Sequence, residues 1–196
     1  MKILLVADEE DKSLWDYWTK DKTAGTDLIL SAGDLKSEYL SFLVTMVNRP
    51  LMYVPGNHDT EFKKMPPEGC DSIDGQIVEY NGLRILGLGG SYAYSGGPFQ
   101  YNERQMKARI NRLRFKLHKS KGVDIIVAHS PICGYGDGKD LAHRGFECFL
   151  PLIEQYQPKY FIHGHVHKSY GMDFQRETKI GDTTVINACG KYFIEI

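Results

Sequence analysis

Residues 51–59 read LMYVPGNHD: an apolar run, a Pro-Gly break, and then an amide, an imidazole and a carboxylate side chain. A continuous apolar run of this kind is typical of a strand buried on both faces of a parallel sheet. Similar runs occur at 3–7 and 28–31, and the segments 13–20 and 36–47 between the runs have the pattern of helices. This alternation predicts an α/β protein with a parallel sheet and right-handed crossovers.

The remainder of the chain extends the same fold class. The dipeptide Asn81-Gly82 separates two apolar segments, as in a two-residue hairpin turn. Pro151 is expected to kink or restart the helix in which it lies. The other predicted elements are strands at 75–80, 83–88, 123–128 and 160–163, helices over 102–120 and 144–156, and short strand-like pieces from 172 to 196. No repeat or linker is evident, so we expect a single domain over residues 1–196.

Composition restricts the class of protein. The chain has 24 Lys and Arg against 25 Asp and Glu, which argues against nucleic-acid binding through bulk positive charge. Residues 104–121 nevertheless carry eight basic residues and no acid, which favours a solvated helix face, with a phosphate-rich partner such as RNA as the alternative. Four scattered cysteines, and the lack of a signal-peptide or membrane-span pattern, lead us to expect a cytoplasmic protein without a membrane partner.

Five of the apolar strand-like runs end at residues that bind metals. They are followed by Asp8, by Asp34, by Asn57-His58-Asp59, by His129, and by His165 with His167. Ligands of open α/β sheets bind outside the carboxyl ends of the strands, so these side chains are expected to converge at one rim. Several carboxylates and imidazoles do not pack together dry and unpaired, and bound divalent cations resolve the problem. The set exceeds what one ion takes and contains no thiolate, which predicts two ions drawn from manganese, iron, zinc and cobalt.

The same residues carry a resemblance to the calcineurin-like metallophosphoesterase superfamily, whose pattern is DxH, GD, GNH[DE], a lone His and GHxH. Here the blocks are Asp8-Glu9-Glu10, Gly33-Asp34, Gly56-Asn57-His58-Asp59, His129 and Gly164-His165-Val166-His167. The resemblance implies two mixed β-sheets packed as a sandwich and flanked by helices. It also implies that Asp34 bridges two ions, that Asp8 and His167 hold the first, and that Asn57, His129 and His165 hold the second. In the same way it implies that His58 faces the leaving group and that Asp59 orients it.

One residue departs from that pattern. The histidine of the family's DxH motif is Glu10 in this chain. We expect Glu10 to be a metal ligand, which would make the site harder and favour manganese, iron or magnesium over zinc. The alternative is that Glu10 reaches solvent and leaves the first ion weakly held. The predicted cofactors are therefore two divalent ions, manganese first.

The loop after His129 bears on the substrate. Its sequence, GYGD at 134–137 followed by His143-Arg144-Gly145, is similar to the metallophosphodiesterase branch of the superfamily. We therefore expect a phosphodiesterase that acts through a metal-bound hydroxide on a small-molecule phosphoester or nucleotide. The alternatives are a phosphomonoesterase or protein phosphatase, and a non-catalytic metal-binding scaffold of the same fold. His143, Arg144 and Tyr92 are candidate substrate contacts, although His143 also fits a helix cap and Tyr92 also fits loop packing.

Overall fold

The computed structural model describes residues 1–167 and 174–196 of the chain, which form two large sheets. The strands are β1 (Lys2–Ala7), β2 (Thr26–Ser31), β3 (Leu51–Tyr53), β4 (Asp71–Ser72), β5 (Ile77–Tyr80), β6 (Leu83–Leu88), β7 (Ser91–Tyr92), β8 (Gln100–Tyr101), β9 (Ile125–Ala128), β10 (Tyr160–His163), β11 (Glu177–Ile180), β12 (Thr183–Asn187) and β13 (Gly190–Glu195). The helices are α1 (Ser37–Val47), α2 (Glu103–Lys119) and α3 (Phe149–Tyr156), with short 3₁₀ turns at Lys20–Thr23 and Thr60–Lys63.

Each large sheet mixes parallel and antiparallel strands. The first has the order β13-β1-β2-β3-β4, in which β1, β2 and β3 are parallel neighbours and β13 runs antiparallel to β1. The second has the order β11-β12-β10-β9-β6-β5, with parallel pairing at its centre and an antiparallel hairpin at each end. Strands β7 and β8 form a small separate pair. The predicted parallel arrangement of β1, β2 and β3, the helix between β2 and β3, and the Asn81-Gly82 hairpin are therefore confirmed.

The core lies between the two sheets and on their outer faces, as the two-residue period of a strand requires. In β1, Ile3 and Leu5 point into the layer between the sheets, where they meet residues such as Ile125 and Val127 of β9. The intervening Leu4 and Val6 point outward and pack with α1. This alternation explains why β1 is apolar at every position after Lys2, and it produces a sandwich of two mixed sheets flanked by helices.

The second sheet is covered by α2 and α3. Helix α2 buries Met106, Ile110, Leu113 and Leu117 against that sheet, and Asn102 caps its first turn. The basic residues of α2 lie mainly on the opposite, exposed face. Among the helices of the described residues, none combines the length and the apolar character needed to cross a bilayer.

Three local predictions differ from the structure. Residues 13–20 form turns instead of a helix, because the Asp11 carboxylate accepts hydrogen bonds from both the backbone and the hydroxyl of Ser13 and competes with helical bonding. Helix α3 begins at Phe149 rather than at residue 144, and Pro151 lies in its first turn, where a missing N–H costs nothing. The strands of the tail are β11 to β13, while residues 172 and 173, where that prediction begins, lie outside the described residues.

Candidate metal centre

The site lies at the rim where parallel strands of the two sheets end. Asp8 follows β1, Asp34 follows β2, Asn57 follows β3, His129 follows β9, and His165 follows β10. Asp8, Asp34 and His165 have positive φ angles of 62°, 57° and 70°. Such backbone conformations cost about 1–3 kcal/mol each for residues other than glycine and concentrate at functional sites, where the surrounding structure holds them in place.

Four ligand atoms from four segments meet at one point. The Nε2 atom of His129 lies 3.2 Å from Oδ2 of Asp34 and 3.1 Å from Oδ1 of Asn57. The Nδ1 atom of His165 also lies 3.1 Å from Nε2 of His129. The amide of Asn57 is oriented by its Nδ2 atom, which donates to the hydroxyl of Tyr94 at 3.1 Å and so turns Oδ1 towards the cluster.

The outer ring nitrogens of the two histidines fix which inner nitrogens carry lone pairs. Nδ1 of His129 donates to the carbonyl of Ala32 at 2.7 Å, and Nε2 of His165 donates to the carbonyl of Ala142 at 2.6 Å. When both rings are neutral, their inner nitrogens are therefore acceptors, and they face each other beside a carboxylate and an amide oxygen. Four acceptors without a donor between them make a ligand set for a cation, so these residues fit the metal that the sequence predicts.

Electrostatics at this point favour positive charge. Burial disfavours protonation of His129, but the adjacent Asp34 carboxylate outweighs it and raises the pKa of His129 to about 9. Burial alone would raise the pKa of Asp34, yet the imidazolium of His129 and a hydrogen bond from the His58 backbone N–H hold it at about 2. Burial and the charge of His129 together lower the pKa of His165 to about 3. The positive charge stabilised here is a proton on His129, and a divalent cation bound to the four ligand atoms would displace it.

Asp8 provides a second indication of a cation site. Its Oδ1 atom accepts a hydrogen bond from the backbone N–H of His165 at 2.8 Å. Its Oδ2 atom is buried and has no hydrogen-bond partner among the described residues. Burial raises the pKa of this carboxyl to about 7, despite the lowering effect of His129. A buried carboxylate oxygen left without a donor is costly, and a divalent cation would satisfy it.

The structure separates the two acidic residues that follow Asp8. Glu10 extends to Lys36, with Oε2 3.2 Å from Nζ, so it forms an ion pair at the surface. Glu9 lies beside His167 instead, with Oε1 3.6 Å from Nδ1. His167 is therefore near the acid at position 9, whereas the sequence pattern pointed to position 10.

His58 and Asp59 have different surroundings. His58 is exposed and borders a cavity of about 330 Å³, and its backbone N–H donates to Oδ1 of Asp34 at 2.8 Å. Asp59 is buried, and its Oδ2 atom accepts from the backbone N–H groups of Asp34 at 2.8 Å and Gly56 at 2.7 Å. Burial, with the nearby Asp34 carboxylate, raises the pKa of Asp59 to about 6. Among the hydrogen bonds of residues 1–167 and 174–196, none joins Asp59 to the ring of His58, so Asp59 fastens two ligand-bearing loops together.

The three candidate substrate contacts lie in the loops above the rim. The ring of His143 is tilted against that of His165, with centroids 5.4 Å apart, and its Nδ1 atom is 2.9 Å from Oδ2 of Asp140. The Arg144 guanidinium lies 5.1 Å from the centre of the Tyr92 ring. All three side chains are thus on the metal side of the molecule, next to a ligand or to one another.

Sequence reasoning did not identify the residues that orient the ligands. The carbonyls of Ala32 and Ala142 leave no signal in side-chain composition, because any residue would supply them. Tyr94 belongs to an aromatic, glycine-rich segment, and that clustering was the available signal. His163 is buried and bonded to the carbonyl of Gly164, and burial lowers its pKa to about 4, which is the behaviour of a core histidine.

The comparisons with known proteins agree with this fold. A sequence profile described as calcineurin-like phosphoesterase matches residues 1–169, and the chain belongs to that family of metallophosphoesterases. It is 28% identical over 194 residues to "UPF0046 protein K07C11.7" of Caenorhabditis elegans, covering 84% of this chain and 63% of that protein. It is 24% identical over 203 residues to human "Metallophosphoesterase domain-containing protein 1", covering 83% and 59%. The chain thus spans about three fifths of the length of these two curated relatives.

A solved structure supports the fold independently. The crystal structure of the protein TT1561 from Thermus thermophilus is similar with a TM-score of 0.66 at 18% sequence identity, over 96% of this chain and 89% of that one. At this level of identity the likeness establishes the two-sheet architecture. The expected sandwich of mixed sheets is therefore confirmed.

Proposed function

We propose that this chain is a dinuclear-metal phosphoester hydrolase that prefers diesters. The observation that carries the proposal is that Asp34, Asn57 and His165 each place a ligand atom within 3.1–3.2 Å of Nε2 of His129. The buried, unpartnered oxygen of Asp8 supports a second cation beside the first. Divalent cations bound at such a pair of sites activate water and neutralise charge on phosphoryl oxygens.

We assign the remaining catalytic roles to Asp34 and His58. In this proposal Asp34 would serve both ions; its Oδ2 atom faces His129, and its Oδ1 atom accepts the backbone N–H of His58. That backbone bond holds His58 next to the metal ligands while its imidazole stays exposed to a substrate. The imidazole of His58 then donates a proton to the leaving oxygen as the phosphorus–oxygen bond breaks.

The charge around the rim favours a diester. His143 is paired with Asp140 at 2.9 Å, Arg144 with Glu147 at 2.8 Å, and Lys36 with Glu10 at 3.2 Å. Arg144 and Lys36 each have an acidic neighbour, so these two cations offer little unneutralised charge to a dianionic monoester. A monoanionic diester needs less positive charge than a dianionic monoester does. The stacked Tyr92 and Arg144 provide a flat surface for the second substituent of the diester.

The test compares His58→Ala with His118→Ala, a matched change on the exposed face of α2. We expect His58→Ala to retain wild-type metal content, because the bond from residue 58 to Asp34 comes from the backbone. Hydrolysis of a bis-aryl phosphate should fall about 10²–10⁴-fold in His58→Ala and stay unchanged in His118→Ala. Loss of metal from His58→Ala would mean instead that His58 is a ligand.

A second comparison separates the rival functions. The ratio of kcat/KM for bis-aryl and mono-aryl phosphates, measured with manganese, zinc and cobalt, should favour the diester. A preference for the monoester would support a phosphomonoesterase or protein phosphatase. Metal binding without turnover of either substrate would support the non-catalytic scaffold.

A further inference from the structure

We propose that Cys189, together with Glu9, completes the ligand set of the cation held by Asp8 and His167, at the place that the histidine of DxH would serve in the family pattern. The proposal rests on the proposed dinuclear site. It is founded on a cluster in which Sγ of Cys189, a carboxylate oxygen of Glu9 and a ring nitrogen of His167 lie within 4.8 Å of one another. A single cation placed among these three atoms would have all of them as ligands once each moves to coordination distance.

The fold brings Cys189 to the rim through the pairing of β1 with β13. Ala7, the last residue of β1, is opposite Gly190, the first residue of β13, and also bridges to Cys189. Because β13 runs antiparallel to β1, the residue just before β13 lies where β1 ends, beside Glu9. Cys189 is therefore a rim residue although it is far from the other ligands in the sequence.

A side chain next to Cys189 connects it to the GHxH segment. Oδ1 of Asn187 accepts the backbone N–H of Cys189 at 2.9 Å, while its Nδ2 atom donates to the carbonyl of Val166 at 2.8 Å. Val166 immediately precedes His167. This bridge holds together the backbone segments that carry the thiol and the imidazole, and such support contributes to the preorganisation of a metal site.

The surroundings call for an additional ligand and for positive charge. Glu10, which occupies the family's histidine position, is engaged with Lys36 at 3.2 Å and points to the surface. The buried Oδ2 atom of Asp8, one residue from Glu9, has no donor among the described residues. A cation among Asp8, Glu9, His167 and Cys189 would satisfy that oxygen and neutralise the neighbouring acids.

A thiolate changes which metal the site selects. Binding releases the thiol proton to solvent and forms a sulfur–metal bond, and thiolates favour zinc, cobalt and ferrous iron over manganese and magnesium. The sequence alone, with Glu10 as a ligand and no thiolate, favours manganese, iron or magnesium over zinc. The site would then combine a sulfur-containing position with the nitrogen and oxygen ligands around His129.

Cobalt titration of the full chain gives a readout that does not depend on activity. We expect the wild type to bind two equivalents and to develop a near-ultraviolet thiolate-to-cobalt charge-transfer band. Cys189→Ser should lose the band and bind one of the two equivalents more weakly by at least about tenfold, the lower limit of what loss of an outer-shell partner costs. Cys70→Ser, which changes a cysteine in the loop before β4, should match the wild type.

X-ray absorption of the zinc-loaded wild type tests the same claim without a variant. We expect a sulfur scatterer at about 2.3 Å from zinc. Only nitrogen and oxygen scatterers, or a band that persists in Cys189→Ser, would overturn the proposal. Hydrolysis of a bis-aryl phosphate is measured on the same cobalt-loaded sample. Turnover without the band refutes the thiolate ligand and leaves the proposed function intact. The band without turnover supports the thiolate ligand and contradicts the proposed hydrolase function.

Discussion

Replacing Asp59 by alanine separates two roles for this residue. The family pattern assigns it to orienting His58, whereas the structure gives it two backbone partners. Its Oδ2 atom accepts the N–H groups of Asp34 at 2.8 Å and Gly56 at 2.7 Å. Alanine removes the acceptor and leaves both amides without this partner inside a buried region. We therefore expect Asp59→Ala to destabilise the fold and to loosen the metal centre, whatever residue occupies position 58.

The magnitude follows from the two amides. A buried donor that loses its partner costs about 1–3 kcal/mol, so two such donors give a loss of about 2–6 kcal/mol in the free energy of unfolding. A domain of ordinary stability has about 5–15 kcal/mol in total, so the change would be large. Asp59→Asn keeps an acceptor oxygen at the same place, and we expect it to lose less than half as much.

Urea unfolding followed by circular dichroism measures this change, with chelator present so that metal binding does not contribute. Turnover of a bis-aryl phosphate is then measured for Asp59→Ala, His58→Ala and the double variant. If Asp59 acts through the backbone, the losses in the two single variants should add.

Two results would contradict a role of Asp59 through the backbone. An unchanged unfolding midpoint in Asp59→Ala would show that the two amides find other partners at no cost. An Asp59→Ala change that has no further effect on turnover in the His58→Ala background would show that Asp59 acts through the imidazole.

Two further predictions concern other contacts. Arg84 holds the pKa of Asp124 below its ordinary value through charge-assisted hydrogen bonds of 2.6 and 2.8 Å, in a pair that is 30% exposed on each side. Asp124→Asn should therefore lower the free energy of unfolding by about 1–2 kcal/mol at neutral pH. Because the folded pKa is depressed, this difference should vanish as the pH falls through it, and a constant difference would contradict the assignment. Tyr94→Phe removes the hydroxyl that orients the Asn57 amide, so zinc affinity measured by chelator competition should fall about tenfold, and an unchanged affinity would exclude that role.

The strand pattern and the positions of the candidate ligands could be read from the chain. Apolar residues at every position of β9, at five of the six positions of β1 and at 28–30 in β2 indicate strands with two buried faces. Helical spacing in α2 indicates one covered face. Because parallel strands end at a common edge, the residues that follow them were expected to meet, and Asp34, His129 and His165 do. The local order of apolar and polar residues suffices to predict these features, because it reflects which positions of each strand or helix are buried.

Local competition between backbone and side chains limited the same reasoning. The helix expected over 13–20 is replaced by turns, because one carboxylate, that of Asp11, offers the backbone an alternative partner. A helical pattern extends over several residues and does not reveal such a single bond. The predicted start of α3 at residue 144 was also wrong, because apolar content does not mark where a helix begins.

What the amino-acid order by itself determined is the α/β class, the succession of buried strands, and the residues that stand at their ends. Only the tertiary structure decided that Asp59 binds two amides, that Glu9 faces His167 while Glu10 reaches Lys36, and that Cys189 joins them. The physical reason is that these contacts depend on how the strands are paired and on which way single side chains turn at a sharp bend. The antiparallel placement of β13 beside β1 is fixed by packing of the whole core, and no short segment encodes it.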